Sequence, residues 1–567
     1  MKRRKFIQNA SLASVGTLLF PFCKPYSLGD LLANGQPGGQ GEELLYNGIK
    51  LPWVWPPRNF SPDNFDPMPV PYLEAPPATI PIDVGRQLFV DDFLVKEMTL
   101  SREFHLAKKY EGNPVLTAEK EWESWLNVTG AAPISGGVYW DPADSLYKMW
   151  YEAGWNGSLA YATSTDGINW QRPNVGVEAG TNIVVKNISA ASTFVILDHA
   201  ADHPRQRFKL FSRSSGGGIV SGELRISPDG IHWSSPVKTG EMGDRSTLMR
   251  NPFRNKWVYG IRSSGRAELR SGIGRARYYI ERDRFLEEAN WRADEPVFWT
   301  GADRLDPPDP VIGDRPQLYN LDAVAYESLM LGVFQIHRGP HNDVGNETGI
   351  PKITELSLAY SRDGFHWHRP DRRSFIEATR KKDWERGYLQ SAGGVCLVVN
   401  DELWFYYGGF EGDEGGTKPR GQYQGSGTGL AKLRRDGFAS LNATETGGTI
   451  TTRLVTFKGH HLFVNVDCPA GELRAEILDE GGQVITPFSL ANSVPLVVDK
   501  TCAAMTWDGG GDLAAIAGRK VSFRFHLKNG KFYAFWVSPD TSGASYGYVA
   551  AGGPGFTGAI DDKGTSV

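Results

Sequence analysis

Three segments of this 567-residue chain repeat one pattern, and that repeat constrains the fold more than any other feature of the sequence. They read Tyr161-Ala-Thr-Ser-Thr-Asp166-Gly-Ile-Asn-Trp170, Leu224-Arg-Ile-Ser-Pro-Asp229-Gly-Ile-His-Trp233 and Ala359-Tyr-Ser-Arg-Asp363-Gly-Phe-His-Trp367. Each is a short strand, then Ser-x-Asp-Gly, then a tryptophan. Weaker copies stand at Tyr278-Tyr-Ile-Glu-Arg-Asp283-Arg-Phe285, with Trp291 beyond, and at Leu433-Arg-Arg-Asp436-Gly-Phe438. The aspartates step by 63, 54, 80 and 73 residues. A mean period of about 67 exceeds the ~40–45 residues of a WD-type blade, yet it suits four strands with generous loops. Five copies therefore predict five blades. The recurring aspartate reads as structural, because a carboxylate can accept backbone N–H bonds in a tight turn while the tryptophan packs between blades. Five equivalent turns cannot all be one active site.

Composition agrees: Gly 66 and Pro 35 supply turns, and Trp 17, Tyr 21 and Phe 28 supply strand-forming aromatics. Runs such as Tyr147-Lys-Met-Trp-Tyr151, Lys256-Trp-Val-Tyr-Gly-Ile261, Leu329-Met-Leu-Gly-Val-Phe334 and Leu403-Trp-Phe-Tyr-Tyr407 read as strands. From about Gly447 the pattern becomes strict alternation between Asp479-Glu-Gly-Gly and Lys528-Asn-Gly turns, as in an antiparallel sandwich with one face buried. The expected fold is all-β: a five-bladed β-propeller over 85–440 and a β-sandwich over 447–540, with 541–567 as a flexible tail. Residues 36–84, rich in proline and glycine, read as a linker or a strap laid over the domain. Of the four cysteines, Cys468 and Cys502 fall in the sandwich region, either as a bridge or as two free thiols.

Lys+Arg 61 against Asp+Glu 65 gives a net charge of −4, so a nucleic-acid partner is not expected. Residues 1–35 carry Arg3-Arg4, Phe6 and a mild apolar stretch from Leu12 to Phe22, which resembles a twin-arginine export signal. The expected location is periplasmic or extracellular, with Cys23 as a candidate lipid anchor of poor context. No later run is apolar enough to span a ~30 Å hydrocarbon core, so no integral membrane segment is expected after signal removal. No cofactor is expected, and no metal: His337, His341 and Asp343 read as a solvated polar loop.

A five-bladed propeller followed by a sandwich resembles the clan of glycoside hydrolases containing families 32 and 43. The likeness rests on Gly85-Arg-Gln-Leu-Phe-Val-Asp91-Asp92-Phe-Leu, on Asn113-Pro-Val-Leu, and on Tyr147-Lys-Met-Trp-Tyr ahead of the first Ser-x-Asp-Gly turn. It implies paired carboxylates at the mouth of a central funnel, where one acts as acid and the other as nucleophile or base on a carbohydrate substrate. Asp244 in Gly243-Asp-Arg-Ser246 is similar to the clan's stabilising aspartate. Asp322 and Glu327 open the fourth blade's strand where the family acid sits, and Glu385 precedes an inner strand of the fifth. Arg245, Tyr319, Tyr388 and Gln390 are placed to hold sugar hydroxyls. The family 32 nucleophile motif falls on Ala131-Ala132-Pro133, so its aspartate is absent; Asp92 and Glu123 lie in acidic segments that offer a substitute or a substrate contact. The implied function is an exported glycoside hydrolase acting on a plant or algal oligo- or polysaccharide. The alternatives are a non-catalytic carbohydrate-binding propeller and a sialidase-like enzyme.

Overall fold

The computed structural model describes residues 43–214, 220–262, 274–415 and 420–566. The segment read from sequence as an export signal, Cys23 included, lies outside these residues. Strands dominate, and the longest helix among the described residues is Asn342–Thr348.

Five antiparallel sheets follow one another along the chain. The first contains Val138–Asp141, Leu146–Ala153, Ser158–Ser164 and Ile183–Val185, with Ala131–Ala132 added beside the second of these strands. Thr193–Leu197, Phe208–Arg213, Val220–Ser227 and Val237–Met242 make the second sheet. Thr247–Asn251, Lys256–Ile261, Ala276–Arg282 and Val297–Gly301 make the third. In the fourth, Gln317–Glu327, Leu329–His337 and Thr354–Ser361 are joined by Tyr548–Val549 from the far end of the chain. The fifth sheet sets Gly387–Ser391 and Leu397–Val399 against Glu402–Phe410, then Ser426–Arg434, and takes its outermost strands from Lys108–Lys109 and Leu116–Thr117. Because those last strands precede the first sheet in sequence, the series closes into a ring, and backbone pairing protects what would otherwise be an open edge.

Large aromatics fill the seams between sheets. Trp150 packs on Phe208, Phe211 on Tyr259, Trp299 on Trp367 and Tyr147 on Trp404. The Ser-x-Asp-Gly turns act as fasteners at these seams. Asp166 accepts the N–H groups of Ile168 and Asn169, and Asp229 those of Ile231 and His232. A neighbouring sheet then bonds to each turn: Tyr406 donates to Gly167 O at 2.6 Å, Trp150 to Gly230 O at 2.8 Å and Trp299 to Phe365 O at 2.8 Å. The weaker copies are built differently. Asp283 pairs at the surface with Lys256, and Asp436 is fully buried in an ion cluster.

Two more sheets face each other across a separate apolar core that includes Phe89, Phe93, Leu462, Val464, Phe523, Phe525 and Phe535. One holds Gln87–Leu88, Ser101–Phe104, Ala439–Ala443, His461–Asp467, Asp499–Met505 and Gly530–Ser538; the other holds Val95–Met98, Gly448–Thr452, Glu472–Leu478 and Ser522–Lys528.

Three boundaries differ from expectation. Strands within 87–104, assigned by sequence to the ring, pair with the C-terminal sheets. The reason is that a short alternating strand shows its buried face but not its partner. Ala439–Ala443 likewise belongs to the C-terminal unit, beginning eight residues before the expected start at 447. The segment 541–567, expected to be flexible, is tied in over its described residues: Val549 and Asp561 are buried, and Tyr548–Val549 pairs with Tyr326 and Glu327. Residues 43–84 lie across both units, with Leu45, Ile49, Tyr72 and Ile80 in the C-terminal core. Cys468, Cys502 and Cys396 are free thiols. No helix among the described residues is long and apolar enough to cross a membrane.

Candidate functional site

A cavity of about 440 Å³ opens where the ring's inner strands begin. The turn Gly243–Ser246, just before the strand Thr247–Asn251, contributes Asp244 and Arg245 to its wall. Gln317–Glu327 contributes Tyr319, and Gly387–Ser391 contributes Tyr388. These four residues, far apart in sequence, meet because each stands at the entry to an inner strand.

The turn that presents Arg245 is tightly held. Ser246 Oγ donates to Gly243 O at 3.1 Å and accepts Arg262 N–H at 2.9 Å, while Arg245 N–H donates to Ser192 Oγ at 3.1 Å. Arg245, Ser135 and Tyr388 all have left-handed backbones, with φ of 59°, 56° and 49°. Such conformations cost on the order of 1–3 kcal/mol each and persist where the surroundings hold them, often at functional sites. Asp244 forms an ion pair with Arg262, its side chain 45% exposed.

Sequence reasoning missed the residues that give the cavity its character. Lys352 is 1% exposed, and its ammonium donates to Tyr319 and Tyr423 at 3.0 Å each. Tyr388 donates to Tyr319 at 3.0 Å, and the ammonium lies 4.9 Å from the Tyr319 and Tyr388 ring centres and 5.1 Å from that of Tyr423. Burial raises the Tyr319 phenol, but Lys352 and Arg275 together outweigh it and hold the group below the usual range. Trp155 stacks on Tyr423 at 3.8 Å and 8°, giving an aromatic face at the wall.

Two buried carboxyls lie behind this wall, and both interact electrostatically with Arg245. Asp322 is fully buried, receives Asn320 Nδ2 at 3.2 Å and the Ser391 hydroxyl, and is pushed up to about 6, chiefly by burial. Glu152 was not anticipated. It sits on Leu146–Ala153, accepts Asn156 N–H at 3.0 Å, has Oε1 unpartnered, and is pushed up to about 8 by burial. Asn156 itself lines the cavity.

The remaining sequence candidates lie elsewhere. Glu385 accepts Tyr407 OH at 2.7 Å and pairs with Lys109 at 2.8 Å, so it anchors the outer strand of the fifth sheet. Glu327 is locked among Arg86 N–H at 3.0 Å, Ser545 Oγ at 2.7 Å and Arg435 at 3.3 Å, at the junction with the C-terminal sheets. Asp92 is a surface partner of Arg102 at 2.6 Å. Glu123 is saturated by Tyr151 OH at 2.6 Å, Arg172 at 2.7 Å and two backbone N–H groups. Gln390 is fully buried, with neither amide atom hydrogen-bonded, on the strand that carries Tyr388. A carboxylate ahead of a strand reads the same in sequence whether it faces a cavity or closes an ion pair.

No family model matches the chain, and no curated protein matches it either. Among solved structures it is similar to an N-acetylgalactosamine deacetylase from F. plautii in complex with blood group B trisaccharide, at 13% identity and a TM-score of 0.35, covering 59% of this chain and 95% of that one. It is also similar to a thermostable family-43 glycoside hydrolase, at 12% identity and TM-score 0.35, covering 53% and 90%. A fructofuranosidase from Schwanniomyces occidentalis complexed with fructose matches at 11% identity and TM-score 0.32, covering 74% and 97%.

Proposed function

We propose that the ring of five sheets is a five-bladed β-propeller and the C-terminal pair a β-sandwich, and that the protein is an exported glycoside hydrolase working at the Asp244–Arg245 cavity. The observation that carries this reading is the sorting of carboxyls around Arg245. Asp244 is ion-paired on the wall, while burial raises Asp322 to about 6 and Glu152 to about 8, so that Glu152 keeps its proton at neutral pH and Asp322 keeps its own only on the acid side. Glycosidic cleavage needs that division, with one carboxyl able to give a proton to the leaving oxygen and another charged to stabilise the cationic transition state. Tyr388 and the Trp155–Tyr423 stack offer aromatic faces to a sugar ring.

The experiment is a screen of purified protein against aryl glycosides and plant or algal polysaccharides, with released sugar as the readout. Asp244→Asn should lower the rate ~10²-fold or more with folding intact. A non-catalytic carbohydrate-binding propeller is the second reading, favoured by Asp244 being the one carboxylate on the described cavity wall. Saccharide binding without release of sugar, equal in wild type and Asp244→Asn, would establish that reading instead.

A further inference from the structure

Buried cations in this protein are, as a rule, matched to a carboxylate. Arg86 pairs with Asp436 at 2.9 Å, Lys148 with Asp141 at 2.7 Å, Arg338 with Glu355 at 2.8 Å and Arg362 with Asp91 at 2.8 Å. Leaving a charge buried without a counter-charge is costly, and the pairings meet that cost. Arg245 and Lys352 break the rule. They are 3% and 1% exposed, neither has a carboxylate within ion-pairing distance among the described residues, and both line the cavity. Arg275, on the same wall, donates to Gln317 Oε1 at 2.8 Å and also has no carboxylate partner among the described residues.

These three side chains retain donor capacity. Arg245 Nε and Arg275 Nε are buried without a hydrogen-bond partner. Two of the three Lys352 N–H bonds go to tyrosine hydroxyls. Across the described wall, Arg245, Arg275 and Lys352 stand beside one carboxylate, Asp244, which is already paired with Arg262. The whole chain carries −4, so this excess of positive charge is local. A Tyr319 phenolate, which Lys352 and Arg275 favour, offsets one of these charges, and neutral sugar hydroxyls would leave the remainder uncompensated.

We propose that the saccharide taken by this cavity carries an oxyanion substituent, a carboxylate, sulfate or phosphate group on the sugar, which docks against Arg245, Arg275 and Lys352. Guanidinium forks and an ammonium among tyrosine hydroxyls suit planar or tetrahedral oxyanions alike. The inference rests on the hydrolase reading only for its substrate class, since binding can be measured without turnover. It also has a spectroscopic consequence: an anion beside Lys352 offsets the charge that favours Tyr319 phenolate, so binding should shift the tyrosinate absorbance toward the neutral phenol.

The test is titration calorimetry with the full chain, using uronate and sulfated oligosaccharides beside their carboxyl-reduced and desulfated counterparts, and inorganic phosphate and sulfate alone. The expected result is at least ten-fold tighter binding of one anionic saccharide than of its neutral counterpart, weakening as salt rises. That preference should be lost in Arg275→Gln, at a partly buried position, and in Lys352→Met, with the melting temperature of each variant confirming that it is folded. Equal affinity for anionic and neutral forms overturns the proposal. So does tight binding of free phosphate or sulfate with no preference between the sugars, which would make the anion a separate ligand. Binding of the anionic sugar without cleavage would uphold the oxyanion site while refuting the hydrolase. Cleavage of neutral and anionic saccharides at equal affinity would do the reverse.

Discussion

Glu152 is the residue whose chemistry most exceeds what its sequence position suggests. A carboxyl raised from 4.5 to about 8 favours the protonated form in the folded state. Its stabilising contribution is therefore complete below the unfolded value and lost as pH rises through about 8. Glu152→Gln keeps an acceptor for Asn156 N–H and removes the ionisation, so it should raise Tm relative to wild type at pH 9 and leave it nearly unchanged at pH 5. Thermal scans at the two pH values check this, and an unchanged difference between them would show that Glu152 ionises without penalty. The same residue bears on activity. If Glu152 is the acid, kcat/KM should fall as pH rises through about 8; if Asp322 is the acid, the fall comes near 6. Asp244, Arg245, Tyr319 and Tyr388 were legible in sequence because each stands just ahead of an inner strand or at its first residues. Glu152 was hidden at the end of Tyr147-Lys-Met-Trp-Tyr-Glu152, where alternation marks it as one more strand residue. Lys352 and Arg275 were hidden because a lone cation shows nothing of whether a counter-charge will meet it.

At the scale of the element, the Ser-x-Asp-Gly turn joins sheets rather than merely ending strands. Trp150 shows how: it is fully buried, packs on Tyr161 and Phe208, and donates across the seam to Gly230 O. Trp150→Phe loses that bond and part of the ring volume, and should cost ~2–4 kcal/mol in urea unfolding. Asp283→Asn, in a weaker copy, removes one surface pair with Lys256 and should cost less than ~1 kcal/mol. Similar losses for both would contradict the division between the fastening turns and the weaker copies. This element was the most legible part of the chain, since a turn with fixed chemistry leaves a local signature. Pairing partners were not legible. The strands at 87–104 adjoin the ring in sequence, yet they complete sheets whose other strands lie more than 300 residues away. No local pattern encodes that choice.

For the whole molecule, the decisive feature is where the two units and the chain's far end are joined. Arg86 comes from the lead-in to the C-terminal sheets, Glu327 from the fourth ring sheet, Arg435 and Asp436 from the end of the fifth, and Asp561 from the tail. All five are buried within one cluster. Arg86 reaches Asp436 at 2.9 Å and stacks 4.1 Å from the Trp536 ring centre, while Arg435 reaches Asp561 at 2.7 Å. Asn465, in the C-terminal sheets, adds a bond to Asp436 at 3.0 Å. With three acids to two guanidiniums the cluster is one negative charge in excess if all ionise, and burial, followed by the repulsion of Asp436 and Asp561, raises Glu327 despite both arginines. The tail is therefore part of the joint between the units. Asp561→Asn keeps the side-chain volume but leaves Arg435 facing only Glu327, an acid already reluctant to ionise. Breaking a buried pair in this way costs ~3–5 kcal/mol. Calorimetry of the full chain should show a lower Tm for Asp561→Asn, whereas Asp562→Asn, its exposed neighbour, should melt like wild type. If the two variants melt alike, the tail does not carry the joint, and the units are held by apolar contact and by the Arg86–Asp436–Asn465 part of the cluster.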